Sequence, residues 1–140
     1  MISPSLLLGI DSGTQRIDLA YAIGIDVGVL GNHEFNFGPN ILKERFPESK
    51  TRWLVWNVSY KGKSGFPGTA TTWIAAKGGY KVGSLGLLTP ETTMISSAGK
   101  YVAIGSMVEA GAALATKLKK SNADIVIALT HDGPTTDQKM

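Results

Sequence analysis

Short apolar runs alternate with amphipathic stretches along this chain, and glycine or proline stands at most of the changes between them. Ser3 and Pro4 suit the N-cap and first position of a short helix through Leu8, which Asp11-Ser12-Gly13 breaks. Thr14 can cap a second helix to Ile23, with Ile17, Ala20 and Tyr21 on one face and Gly24 ending it. Residues 25–30 read as a buried strand, followed by a polar loop over residues 31–38. Gly38-Pro39 opens a third helix that turns Ile41, Leu42 and Phe46 inward and stops at Pro47. Residues 52–58, β-branched and aromatic, predict a strand, and residues 59–68, dense in Gly, Lys and Ser, an exposed loop.

Residues 71–77 and 80–88 form two strands around the two-residue turn Gly78-Gly79. Gly83 and Gly86 within the second strand mark a close approach to its backbone. Residues 89–103 lack a period and read as loop. Ser106 and Glu109 have capping-box spacing and start a helix to about Lys120, with Met107, Gly111, Leu114 and Leu118 in one stripe. Residues 124–129 form an unbroken apolar strand of the kind buried on both faces, leading into Thr130-His131. Asp132-Gly133-Pro134 is a turn before a polar tail. This alternation makes the class α/β, with a mostly parallel sheet plus one β-hairpin, in a single domain over residues 1–140.

Composition narrows the function. At 43% hydrophobic and 18% charged, the chain has the balance of a soluble globular domain. A net charge of +3, with no basic run interleaved with aromatics, excludes a nucleic-acid polymer as the expected partner. The absence of cysteine removes disulfides, a thiolate nucleophile and zinc–thiolate sites. No apolar run reaches membrane-spanning length, so no membrane partner is expected. Leu6-Leu7-Leu8 is too short for a signal-peptide core and has no basic leader. The cytoplasm is then the default location, with the compartment otherwise undetermined.

The candidate chemistry lies in Gly31-Asn32-His33-Glu34-Phe35-Asn36-Phe37-Gly38. Asn32 and His33 emerge at the carboxyl end of a strand, where open α/β sheets build their sites, and Gly31 frees the backbone to turn sharply. Asn32 offers a hard amide oxygen to a divalent ion, and His33 an imidazole able to protonate a leaving group. His131 also follows an apolar strand at its carboxyl end, so both histidines can face one crevice, and with Asn32 they make a candidate metal edge.

Gly31-Asn32-His33-Glu34 resembles the G-N-H-E signature of the calcineurin-like metallophosphoesterases. The block to Gly38 is similar to their 5′-nucleotidase and cyclic-nucleotide phosphodiesterase branch. Residues 23–27, 81–92 and 123–131 match further family blocks in the same order, covering nearly the whole chain. The resemblance implies a layered α/β sandwich, here partial, and hydrolysis of phosphoesters by two divalent ions and an activated water. The ions are of the Mn, Zn, Mg or Fe kind, the substrate is a small phosphoester or nucleotide, and the compartment is often periplasmic or extracellular. It also implies that Asn32 and His131 are metal ligands and that His33 is the catalytic histidine.

The family's early D-x-H and G-D motifs and its late G-H-x-H motif have no counterpart here, and only two histidines are present. Asn36 stands where the branch usually carries an Asp that orients and charges the catalytic histidine; an amide can accept its hydrogen bond without the charge. In a serine-protease triad the comparable change costs about 10⁴-fold in rate. Two functions are therefore expected in parallel. One is a 5′-nucleotidase-like hydrolase with His33 and Asn36 as its catalytic pair. The other is a catalytically incompetent fragment or remnant acting as a binding or interaction module. Without the family's first strands, the apolar strands 25–30 and 124–129 leave an uncharged sheet edge, through which the chain is expected to self-associate or dock a partner.

Overall fold

The computed structural model describes residues 14–138; the helix expected at 3–8 and the break at 11–13 lie outside the described residues. Helix α1 (Thr14–Ala22) buries Ile17 and Ala20, and the chain leaves it where Gly24 takes φ +77°. Tyr21, expected to face inward, is 57% exposed, with Lys50 Nζ 3.7 Å from its ring centroid. At the last turn of a helix a ring with a polar tip is satisfied by a surface cation. Strand β1 (Val27–Val29) leads to a 3₁₀ turn (Asn32–Phe35) and then to α2 (Gly38–Arg45). Leu42 and Phe46 of this segment are buried, and Pro47 sits in a last 3₁₀ turn (Phe46–Glu48).

The strand expected over 52–58 is in fact two, β2 (Arg52–Leu54) and β3 (Val58–Tyr60), in different sheets. The cause is Asn57. Its amide nitrogen donates to the carbonyls of Leu88 at 2.7 Å and Gly105 at 2.8 Å, and its oxygen accepts from Leu88 N at 3.0 Å. One side chain thus satisfies backbone groups at a place where strands part. The loop expected over 59–68 contains the end of β3 and the two-residue strand β4 (Lys63–Ser64), turned by Lys61 and Gly62 at φ 52° and 76°. The expected hairpin is present as β5 (Thr72–Lys77) and β6 (Tyr80–Leu88), with Gly78 and Gly79 both at positive φ. The stretch 89–103 is not all loop; it holds the short helix α3 (Thr92–Ile95) and β7 (Val102–Ile104). Helix α4 (Met107–Lys120) starts at Ser106, whose hydroxyl accepts from Glu109 N, and buries the expected stripe of Met107, Gly111, Leu114 and Leu118. Strand β8 (Ile125–His131) and the four-residue helix α5 (Pro134–Asp137) complete the described chain.

The strands form three sheets: β1-β2 parallel, β4-β3-β7 antiparallel, and β5-β6-β8 with β6 parallel to β8. The class is α/β as expected, with antiparallel pairing extending beyond the single hairpin. Strand β6 organises the layers by alternation. Leu85 and Leu87 face α4 in one core, while Leu88 enters a second core with Leu30, Phe35 and Val55. A side chain on Gly86 would come within 2.6 Å of the Leu54 carbonyl carbon, and one on Gly83 within 3.0 Å of Ala123 and Leu118. Both glycines are needed for space. No helix among the described residues is long and apolar enough to cross a membrane.

The largest departure is β8. Among the described residues it pairs with β6 alone and ends its sheet, and it leaves Ile125 and Ile127 exposed rather than buried on both faces. The composition of a strand tells what it can bury; the number of layers stacked on it decides what it does bury.

Candidate functional site

Two strand ends meet at the site. Leu30, fully buried, anchors the end of β1, and the chain turns at once into the 3₁₀ segment Asn32–Phe35. Phe35 locks the far side of that turn into the core, with its ring 5.5 Å from that of Phe66 in an edge-on contact. From the other strand, β8 ends at His131, paired with Leu88, and the His131 carbonyl accepts from Thr89 N at 3.1 Å.

All four residues singled out in the sequence gather here. Asn32 Oδ1 and His131 Nε2 lie 2.7 Å apart although 99 positions separate them in sequence. An amide oxygen can only accept, so Nε2 carries a proton and donates it. His33 Nδ1 lies 3.1 Å from Asn36 Nδ2. An amide nitrogen can only donate, so Nδ1 accepts and the neutral ring holds its proton at Nε2. The sequence led us to expect that Asn36 would accept from the ring; the polarity of the bond is the reverse.

Two further residues shape the site. Glu34 is 3% exposed, and its Oε2 accepts from Gly31 N at 2.6 Å. This carboxylate is thus buried and closes the turn from inside. The spacing Gly31 to Glu34 is that of an N-cap and its third residue, the same signal that marks Ser106 and Glu109. Gly31 itself has φ −109° and ψ 177°, an extended backbone open to any residue, so the sharp turn expected of it is not why it is glycine. Space is the reason. A side chain there would stand 3.0 Å from Nδ1 and Cε1 of His131 and 3.1 Å from Glu34 Oε2.

As a metal centre this donor set is incomplete. Asn32 and His131 are both neutral, and each is already the other's hydrogen-bond partner. Among the described residues no group of three or more His, Cys, Asp or Glu comes together to hold an ion. Two neutral donors fall short of a whole divalent-ion site.

The fold is shared with known phosphoesterases. No family model matches the chain. Individual proteins do. A 2′,3′-cyclic-nucleotide 2′-phosphodiesterase/3′-nucleotidase of Haemophilus influenzae is 32% identical in a 133-residue alignment that covers 86% of this chain and 20% of that protein. The crystal structure of a 5′-nucleotidase precursor from Thermus thermophilus superposes with a TM-score of 0.87 at 26% identity, covering 96% of this chain and 27% of that one. A calcineurin-like phosphoesterase of Bacillus subtilis shares the fold with a TM-score of 0.79 at 24% identity, over 94% of this chain and 46% of that one. The relatives and structural neighbours of this chain are thus nucleotidases and calcineurin-like phosphoesterases. It spans about a fifth of the length of the curated relatives it matches.

Proposed function

We propose that this chain carries the asparagine–histidine edge and the acid histidine of a metal-dependent phosphoester hydrolase acting on nucleotides. The observation that supports this most is the 2.7 Å approach of Asn32 Oδ1 to His131 Nε2, next to His33. In this reading His33 donates from Nε2 to a phosphoryl or leaving-group oxygen, and Asn36 holds the ring by its Nδ1 side. Glu34 fixes Gly31, and through it the backbone on which Asn32 stands. A bound divalent ion would supply charge neutralisation and water activation. Asn32 and His131 would be two of its ligands, and His131 must first give up its Nε2 proton. The nucleotide class of substrate rests on the nucleotidase activities named for the relatives.

The incomplete donor set favours a second reading, in which the chain is a folded module of the family without competent metal chemistry. The two are separated by assaying phosphate release from 5′-AMP and 2′,3′-cyclic AMP with manganese, alongside calorimetry of manganese binding. The hydrolase reading expects weak turnover that His33→Ala abolishes, and at most one weakly held ion that Asn32→Ala or His131→Ala removes. Turnover indifferent to His33→Ala overturns the role given to that residue. Two tightly held ions would overturn the incomplete site, and no turnover at all selects the module.

A further inference from the structure

His131 takes its place from the end of β6. Its carbonyl accepts from Thr89 N at 3.1 Å, and its register partner in the parallel pair is Leu88. The opposite edge of β6 is held first by a neighbouring backbone and then by a side chain. Trp56 N donates to the Gly86 carbonyl at 3.0 Å, but the chain then turns away into β3. There the side-chain amide of Asn57 takes over. It accepts from Leu88 N at 3.0 Å and donates to Leu88 O at 2.7 Å, the two bonds a strand backbone would have made. Asn57 is itself held by Gly105, whose N–H donates to the Asn57 main-chain carbonyl at 2.7 Å and whose carbonyl accepts from the Asn57 side chain at 2.8 Å. With Asn57 and Leu88 both buried, removing the amide strands a backbone donor and two carbonyls that water does not reach.

We propose that Asn57 is a positioning residue for His131 and, resting on the hydrolase reading, that it sets the spacing of the two groups named there as ligands. Every link of the path is a hydrogen bond or a ladder pair. Asn57 holds Leu88, Leu88 and Thr89 hold the end of β8, and His131 Nε2 reaches Asn32 Oδ1 at 2.7 Å. His33 is placed by a different route, through the turn that Leu30 and Phe35 anchor in the core. Loss of the Asn57 amide therefore releases the end of β6 and carries His131 with it, while His33 stays. The residue type follows from the bonds required. One planar group must accept from an N–H and donate to two carbonyls, which an amide does and a carboxylate or a leucine of similar size does not.

The chain holds only two histidines, so one NMR spectrum of the imidazoles reports both and each is the reference for the other. In Asn57→Ala the His131 ring signals should shift or broaden, and the Asn32 side-chain amide with them, while those of His33 hold still. Leu118→Ala, a buried truncation beside Gly83 near the other end of β6, sets the response to lost stability alone. His131 signals that move no more than in Leu118→Ala, or no more than those of His33, overturn the proposal. Manganese alone is the second probe: Asn57→Ala should weaken any binding seen in the parent chain about tenfold or more. A selective His131 response in a chain that binds no manganese supports the placement and counts against the hydrolase reading alone. If Asn57→Ala does not fold, hydrogen exchange on the parent chain carries the test. The Asn57 side-chain amide and the Leu88 and Thr89 backbone amides should open together, with protection within about tenfold of one another. A Thr89 amide that stays protected while the Asn57 side chain exchanges faster than that margin overturns the proposal.

Discussion

The two strand ends that make the site are built unlike each other. After β1 the chain is held on every side: Leu30 and Phe35 are fully buried, and Glu34 closes the turn with a buried bond to Gly31. After β8 His131 stands on an exposed edge strand, fixed by pairing with β6, by the Thr89 amide and by Asn32. One half of the site is thus an extension of the core, and the other leans on it. Precision at Asn32 and His33 is supplied by packing, whereas precision at His131 is supplied by a few hydrogen bonds.

The sharpest way to break this comparison is to truncate one side chain from each half. Phe35→Ala should cost about 3–5 kcal/mol in urea unfolding, because a fully buried ring leaves a cavity. Ile127→Ala on β8, already 43% exposed, should cost no more than about 1 kcal/mol. Equal costs would mean that β8 is packed as firmly as the turn. Within the turn, Glu34→Ala strands the Gly31 amide and should cost about 1–3 kcal/mol, with Glu34→Gln recovering most of it through the amide oxygen. If Gln does no better than Ala, the bond to Gly31 is not what the carboxylate contributes.

A smaller effect is expected on chemistry. Asn36→Asp replaces the donor at His33 Nδ1 by a carboxylate acceptor, moves the ring proton to Nδ1, and allows a charged imidazole. Any phosphatase activity should rise about tenfold, a modest share of what general acid catalysis supplies. No rise would assign the limit to the missing ligands around Asn32 and His131. The mildest change is Gly31→Ala. Its backbone angles suit alanine, and the new methyl meets the His131 ring at 3.0 Å, a contact the ring relieves by shifting. Stability should fall by about 1 kcal/mol or less, while the His131 imidazole signals in NMR move and its bond to Asn32 weakens. Unchanged His131 signals would show that the ring is held elsewhere.

Local patterns fixed by short-range physics were legible without coordinates. The stripe Met107, Gly111, Leu114 and Leu118 on α4, the Gly78-Gly79 hairpin and the space reserved at Gly83 and Gly86 all stand as the sequence implied. A helical period, a turn that demands positive φ and an absent Cβ each carry their meaning within a few residues. The convergence of Asn32, His33 and His131 was legible only because apolar strands deliver their carboxyl ends to a common side.

Other features were decided by partners distant in the chain. Nothing near Asn57 announces that its amide will tie β6 to the loop before α4, because those carbonyls arrive from 31 and 48 positions away. The direction of the Asn36 bond depends on which end of an amide meets the ring, and Asn offers both. Burial of Glu34 contradicts its charge and is supported by the backbone amide of Gly31 that it caps. The apolar run of β8 shows the same division. Sequence by itself made it a strand, and only the stacking of layers decided that β6 is the covered strand and β8 the exposed one. Side-chain chemistry sets what each residue can bury or bond; tertiary structure sets which surfaces are there to receive it.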